Sequence, residues 1–476
     1  MRVRSVGLRL CIVAWFMGLP AQPAVLGAEI DFTSRTSLLT APVSPKLGGD
    51  TARSVATFDS FTFVAANADD QARAMFSFGN QVFTAEWTPS PGPQPTTDGL
   101  GPIFNTKACS DCHINNGRGQ SPTTSDERMD SALVRLSVPG QDPFGGPNPV
   151  PNYGDQLQDR AIEGVRPEGQ VTVHWDEKSY IYGDGTQYSL RKPRLVFSNL
   201  AFGDLPAETM TSLRVASPVI GLGLLELVPE ETLLALADPD DNDGDEISGR
   251  LNIVWDAQYK KMNIGRFGWK ANVPSLALQN AGAARGDMGI TTPLATADNC
   301  EEIQEACKAS ATHNGVEMSG GFLQRLNAYV RNLAVPSQRG AQFPEVQRGQ
   351  ALFNDTGCSQ CHVPTLVSGS DARAKALSNQ TFHPFTDLLL HDMGEGLADG
   401  RPDFLASGKE WRTPPLWGIG LTKKVSGHSF FLHDGRARNI EEAILWHGGE
   451  AETSKETFRN MKKNQRDDII AFLGSL

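Results

Sequence analysis

Two short stretches govern the reading of this chain: "GCSQCHVP", residues 357–364, and "ACSDCHIN", residues 108–115. Each places two cysteines on either side of a dipeptide and a histidine directly after the second. That spacing is the attachment signal for c-type haem. The two thiols add to vinyl groups as thioethers, and the adjacent imidazole is carried under the iron. Paired zinc knuckles are the rival reading, but they lie ~15–20 residues apart, whereas the whole middle of the chain separates these two. Zinc would also leave both histidines without a role. Two covalently bound c-type haems are therefore expected, attached at Cys109 and Cys112 and at Cys358 and Cys361, with His113 and His362 as proximal iron ligands.

The other cysteines and the charge narrow the class. The 476 residues include seven cysteines and carry a net charge of -12. Without a Lys/Arg-rich run, an acidic chain of this kind is no nucleic-acid binder, because phosphate contact needs a basic face. Arg2, Arg4 and Arg9 precede an apolar run from Leu10 to Leu19 and then small residues up to Ala28. This pattern is expected to be a cleavable secretory signal over residues 1–28, which implies a periplasmic protein. Cys11 leaves with it. No later stretch approaches the ~20 apolar residues of a membrane span, so the mature chain is not expected to cross a bilayer. Cys300 and Cys307, in an exported chain and without the short redox spacing, are expected to form a structural disulfide.

The surroundings of the motifs suggest a mainly α fold of two cytochrome c-like haem domains. Residues 29–335 form the first, enlarged by an insertion of β-strands and irregular loops, and residues 345–476 the second. "PEVQRGQALFNDTGCSQCH", 344–362, predicts a helix leading into the second motif, with Val346, Leu352 and Phe353 apolar. Gly349 in its middle disfavours helix and marks a close crossing. The expected partner is the last helix, "RDDIIAFLGSL". A looser version surrounds the first motif: "DQARAMFSFGNQVF" before it and "GGFLQRLNAYVRNL" closing it. Between them "SALVRLSV", "GQVTVHW" and "PRLVFSNL" read as strands, and "AVPSQRGAQFP", 334–344, as a linker.

The ligand opposite each proximal histidine decides what an iron can do, since a second strong ligand leaves only electron transfer. In "RNIEEAILWHGGE", 438–450, Asn439 can cap a helix that ends at Gly448-Gly449, with Ile440, Ile444 and His447 on one face. A buried histidine there is either a core residue or a ligand. The segment from "EWRTPPLWGIG" to "FFLHDGRARNIEEAILWHGGE", 410–450, resembles the corresponding part of bacterial diheme cytochrome c peroxidases. "GLGPIFNTKACSDCHINNGRG", "GLGLLELVPEETLLALADPDDNDGDEISGRLN", "GRFGWKAN", "DMGITTPL" and "TDLLLHDMGEGLADG" resemble the related di-haem oxidoreductase family, whose members are sometimes labelled thiol oxidoreductases. The likeness covers most of residues 70–476.

That resemblance implies that His447, fourteen positions beyond the HDG histidine His433, is the distal ligand of the second iron, with His391 as its rival. It implies a reactive first haem and an electron-relaying second one. Glu226 takes the place of the acid/base group that moves a proton between peroxide oxygens, and Arg214 is a weaker candidate for steadying the developing charge. His433 and Arg436 are expected to hold propionates or the region between the haems. Trp269, Trp411 and Trp417 are candidates for a tunnelling bridge, or simply core residues. "DPDDNDGDEISGR", 238–250, lacks the EF-hand register, so it is either a solvated acidic turn or a calcium loop.

The function expected on this basis is that of a periplasmic, peroxidase-like diheme oxidoreductase. It would take electrons from a small redox protein or a quinol-linked donor and pass them to hydrogen peroxide. A non-enzymatic diheme electron carrier and a haem-dependent oxygenase or protein-modifying oxidase are the alternatives.

Overall fold

The computed structural model describes residues 32–311 and 315–476. The expected export signal, with Cys11, and also His313 lie outside the described residues. Five helices build the surroundings of the two motifs: α1 (Asp70–Thr84), α2 (Gly320–Asn332), α3 (Pro344–Asp355), α4 (Ile440–Leu445) and α5 (Lys463–Ser475). Their ends follow from local chemistry. Asp69 accepts from the Ala72 amide at α1, Ser319 from the Phe322 amide at α2, and Asn439 from the Glu442 amide at α4, each satisfying one of the otherwise unpaired first-turn donors. Pro344 opens α3, where a missing N–H is harmless.

The helices pack in two matching pairs, α1 on α2 and α3 on α5. Glycine makes each crossing possible. A Cβ on Gly79 would collide with the Arg325 carbonyl oxygen, and one on Gly349 with the Asp468 carbonyl oxygen. The close approach that the sequence suggested for Gly349 and the last helix is present, and α1 repeats it. Four positions after each glycine a phenylalanine, Phe83 or Phe353, is buried at the crossing.

Four strands are the longest extended elements of the insertion. β1 (Ala132–Gln141) pairs antiparallel with β4 (Met210–Val215), from Ala132 opposite Val215 to Ser137 opposite Met210. Ala132, Val134 and Leu136 alternate inward, over Tyr153, Leu157 and Leu213 in a separate apolar cluster. β2 (Gln170–Ile181) and β3 (Gln187–Ser198) form a long two-stranded hairpin. Its base joins that cluster through Val171 and Val173. Its tip reaches the C-terminal helices, where Tyr182 Oη donates to Glu441 at 2.8 Å and Asp184 accepts from Arg466 at 2.9 Å. Helix amounts to 31% and strand to 19%. The expected mainly α class is thus too coarse, because the insertion between α1 and α2 is built on strands.

One continuous apolar core contains residues of both helix pairs, from Leu47 and Phe83 to Phe353 and Leu476. The first half, 334–339, of the segment 334–344 read as a linker is drawn into it. Val335 is fully buried, and Arg53 and Gln338 donate backbone hydrogen bonds to Val335 and Pro45. Its Pro/Gly/Ser composition signalled irregular backbone correctly, but the chain before Phe61 supplies the pairing that lets irregular backbone be buried. Cys300 and Cys307 are disulfide-bonded.

Candidate functional site

Each motif histidine lies against one helix pair in the same way. The Phe83 ring is 6.1 Å from His113 and 5.2 Å from Tyr329 on α2. The Phe353 ring is 6.2 Å from His362 and 5.3 Å from Phe472 on α5. The ring planes of phenylalanine and histidine make angles of 50° and 53° in the two halves. A glycine crossing, a phenylalanine one turn later and an imidazole over it thus recur in both. None of the four motif cysteines is in a disulfide.

A cavity of about 220 Å³ opens beside the second motif and extends toward the first. Cys358, Cys361, His362 and His447 line it, with Leu222, Phe353, Ile444 and Leu473 among its apolar walls. His362 Nδ1 donates to the Phe385 carbonyl at 2.9 Å, and His447 Nδ1 to the Ala443 carbonyl at 2.7 Å. A carbonyl can only accept, so each proton sits on Nδ1 and each Nε2 keeps its lone pair. Burial holds both imidazoles neutral, His362 down to about 4. Fixed tautomers with a free Nε2 are what metal-bound histidines show. The surface depression lined by Glu452, Thr457 and Gln465 holds no such groups.

Other interior histidines have their rings engaged. His383 meets the Ser44 amide and Thr365 Oγ1, and His428 meets the Arg118 carbonyl and the Phe430 amide. His391, the rival distal ligand, lies between Asp387 at 2.8 Å and Glu450 at 2.6 Å, with both nitrogens bound. Burial alone would lower its pKa, but the surrounding negative groups outweigh it and raise it well above the ordinary value. His391 is thereby a buried cation rather than a free donor. At the first motif, His113 Nδ1 is buried without a well-aligned partner, and burial takes its pKa down to about 4. Apolar walls, unpaired thiols and neutral imidazoles with free nitrogens fit an iron porphyrin.

The charged residues singled out in the sequence are mostly engaged elsewhere. Glu226 accepts from Arg331 Nε at 2.7 Å and from the Leu276 amide at 2.9 Å, so it holds two helices together and does not line the cavity. Arg214 pairs with Asp403 at 3.1 Å inside a buried network that includes Asp399, Arg401 and Lys270. Arg436 is neutralised by Asp434 at 2.6 Å. His433 lines the cavity under Trp411. Asp241, Asp243 and Asp245 bring carboxylate oxygens within 4.8 Å of one another, and Arg35 pairs with Asp243 at 3.1 Å.

Two groups at the cavity were not read as such from the sequence, although His391 itself was singled out there. The Asp387–His391–Glu450 set assembles beside Cys361 from one segment, 387–391, and a short turn at 449–451, and Arg118 reaches the cavity from the loop after the first motif. Only the position of Arg118, five residues after a motif histidine, could have drawn notice.

Residues 44–476 match the family described as "Di-haem oxidoreductase, putative peroxidase". No curated protein matches the chain. A solved structure of hydrazine synthase from Kuenenia stuttgartiensis, pressurised with xenon, is similar at 13% identity, covering 99% of this chain and 100% of that one. Its TM-score of 0.33 is too low to bear on the fold.

Proposed function

The chain belongs to the di-haem oxidoreductase family, and from that premise we propose that it is a periplasmic, peroxidase-like enzyme with two covalently attached c-type haems. Cys109 and Cys112 hold one and Cys358 and Cys361 the other, each in a cytochrome c-like module within residues 29–335 and 345–476. When bound, the haems supply one-electron storage and, at an iron with a free position, a site for reducing peroxide. His362 and His447 ligate the second iron, and His113 the first.

One observation carries this reading. Beside the second cysteine pair two imidazoles, His362 and His447, stand with Nδ1 tied to backbone carbonyls and Nε2 free. Two such imidazoles suit a six-coordinate relay iron, which leaves the reactive role to the haem at Cys109 and Cys112 and, with the family's description, supports an enzyme rather than a carrier. The chain's own part is to hold the imidazoles neutral, to exclude water with Phe353, Leu473 and their neighbours, and to keep His391 charged through Asp387 and Glu450. Proton movement at the first centre is assigned to Glu226 only if it can leave Arg331, and Arg214 supports the wall through Asp403. A small redox protein or quinol-linked donor supplies electrons and hydrogen peroxide receives them. The Asp241–Asp243–Asp245 loop is where calcium would enter, in competition with Arg35; metal analysis after dialysis against a chelator decides it.

Low-temperature EPR of the haem-loaded protein, oxidised and half-reduced, tests the reading together with peroxide turnover by reduced small cytochromes. A high-spin ferric component beside a bis-histidine low-spin one is expected, with turnover. Two low-spin signals in both states and no turnover would make the protein an electron carrier. A high-valent species persisting without a small reductant would point to the oxygenase or protein-modifying reading.

A further inference from the structure

Most buried cations around the cavity have acidic counterparts, and Arg118 and Arg412 do not. Lys270, Arg214 and Arg401 share Asp399 and Asp403, Arg436 has Asp434, and His391 has Asp387 and Glu450. Arg412 donates to the Gly268 and Thr413 carbonyls and lies in the field of Asp387. Arg118 has no carboxylate within ion-pair distance among the described residues.

Arg118 is 9% exposed and lines the cavity. Its Nη1 donates to the Leu432 carbonyl at 2.9 Å, while Nε is buried without a partner. The guanidinium stands over Trp269 at 5.3 Å and Phe431 at 5.7 Å, which holds the planar fork in place. Leaving a charge and an N–H donor buried and unpaired is strongly unfavourable. Burial, with no acid to oppose it, takes the pKa down to about 10, so the group stays cationic at neutral pH.

A cation in this position lacks an anion, and a guanidinium fork matches a carboxylate. We propose that Arg118 binds a propionate carboxylate of the haem held at Cys358 and Cys361, through the Nε–H that the protein leaves unpaired. This rests on the reading of the cavity as a haem site. It replaces the assignment of that task to Arg436, whose charge Asp434 already neutralises. Arg118 comes from the loop of the first motif and Leu432 from the segment before His433. The propionate contact therefore lies where the two halves meet.

The test compares haem-loaded wild type, Arg118→Gln and Arg118→Lys by haem stoichiometry and by the midpoint potential of each haem. A cation beside a propionate favours the reduced, less positive iron. Arg118→Gln is expected to lower the midpoint of the haem at Cys358 and Cys361 with its EPR g-values kept, and Arg118→Lys to restore part of the shift; a shift confined to the other haem would overturn the assignment. Unchanged midpoints for both haems at full haem content in Arg118→Gln would overturn the proposal. Should Arg118→Gln not fold, Arg118→Lys is read alone: a shift supports the fork contact, and wild-type potentials overturn it. If wild-type EPR shows no bis-histidine haem, the functional reading falls separately, and the difference in potential still reports on Arg118.

Discussion

The indole of Trp411 lies flat on the imidazole of His433, with ring centroids 3.7 Å apart and planes 11° apart. Both line the cavity beside the second motif. Trp411 Nε1 donates to the Leu397 carbonyl at 3.1 Å, and Lys270 Nζ stands 4.4 Å from its ring centre. Burial takes His433 down to about 3, so a neutral imidazole meets the indole face. The stack joins the buried ion network to the cavity wall. Trp411→Ala should lower stability by ~3–5 kcal/mol through the void it opens. Trp411→Phe should lower it by ~1–3 kcal/mol, mainly by leaving the Leu397 carbonyl unpaired. Urea denaturation ranks the two, and equal losses would show that the ring volume contributes nothing.

His447 and His391 separate cleanly by spectroscopy. His447→Ala should convert the low-spin signal of the second haem to high-spin, because the free Nε2 is removed. His391→Ala should leave that signal in place while destabilising the fold, since Asp387 and Glu450 lose the cation between them. Removing one partner of such a buried set costs ~3–5 kcal/mol. Loss of the low-spin signal in His391→Ala would exchange the two roles.

Glu226→Gln distinguishes an anchor from a proton carrier. With both carboxylate oxygens engaged by Arg331 and the Leu276 amide, the expected result is a stability loss of ~1–3 kcal/mol and peroxide turnover per haem within a few-fold of wild type. A fall of 100-fold or more, the scale of a lost general acid/base, with wild-type stability would return Glu226 to the catalytic role.

Glu168 makes stability depend on pH. It is 1% exposed, and burial raises its pKa from the ordinary 4.5 to about 8 despite bonds from the Gln158 amide and Gln304 Nε2. The native state therefore holds a proton that the unfolded chain has released. The stability this confers is complete below about pH 4.5 and is lost as the pH rises through 8. The loss is at most ~5 kcal/mol. Thermal unfolding at pH 5 and pH 8 should show a smaller difference in Glu168→Gln than in wild type, and identical differences would contradict the assignment.

The Cys300–Cys307 bond closes a loop over a sequence separation of 7. Replacing both cysteines by serine should lower stability by ~2–3 kcal/mol and leave peroxide turnover unchanged. A loss of turnover at full haem content would instead give weight to the thiol oxidoreductase label.

Much of the site was legible because it is written in contiguous residues. Cys-x-x-Cys-His is a covalent spacing, Asn439 caps its own helix, and Gly349 with Phe353 marks a crossing through helical periodicity alone. The burial of 334–339, within the segment 334–344 read as a linker, was not legible because composition describes a local backbone and not its surroundings. The engagement of Glu226 was illegible for a related reason: a motif-like neighbourhood says nothing about a partner 105 positions away.

From the sequence by itself came two Cys-x-x-Cys-His motifs, the helices that cradle them, the strands of the insertion and His447 as a buried histidine on a capped helix. These depend on spacing, caps and periodicity within single segments. Only the tertiary structure decided which charges are compensated: Arg214 finds Asp403 from 189 positions away, His391 sits between two carboxylates, and Arg118 finds none. Compensation of a buried charge is a property of packing between distant segments, and no local pattern encodes it.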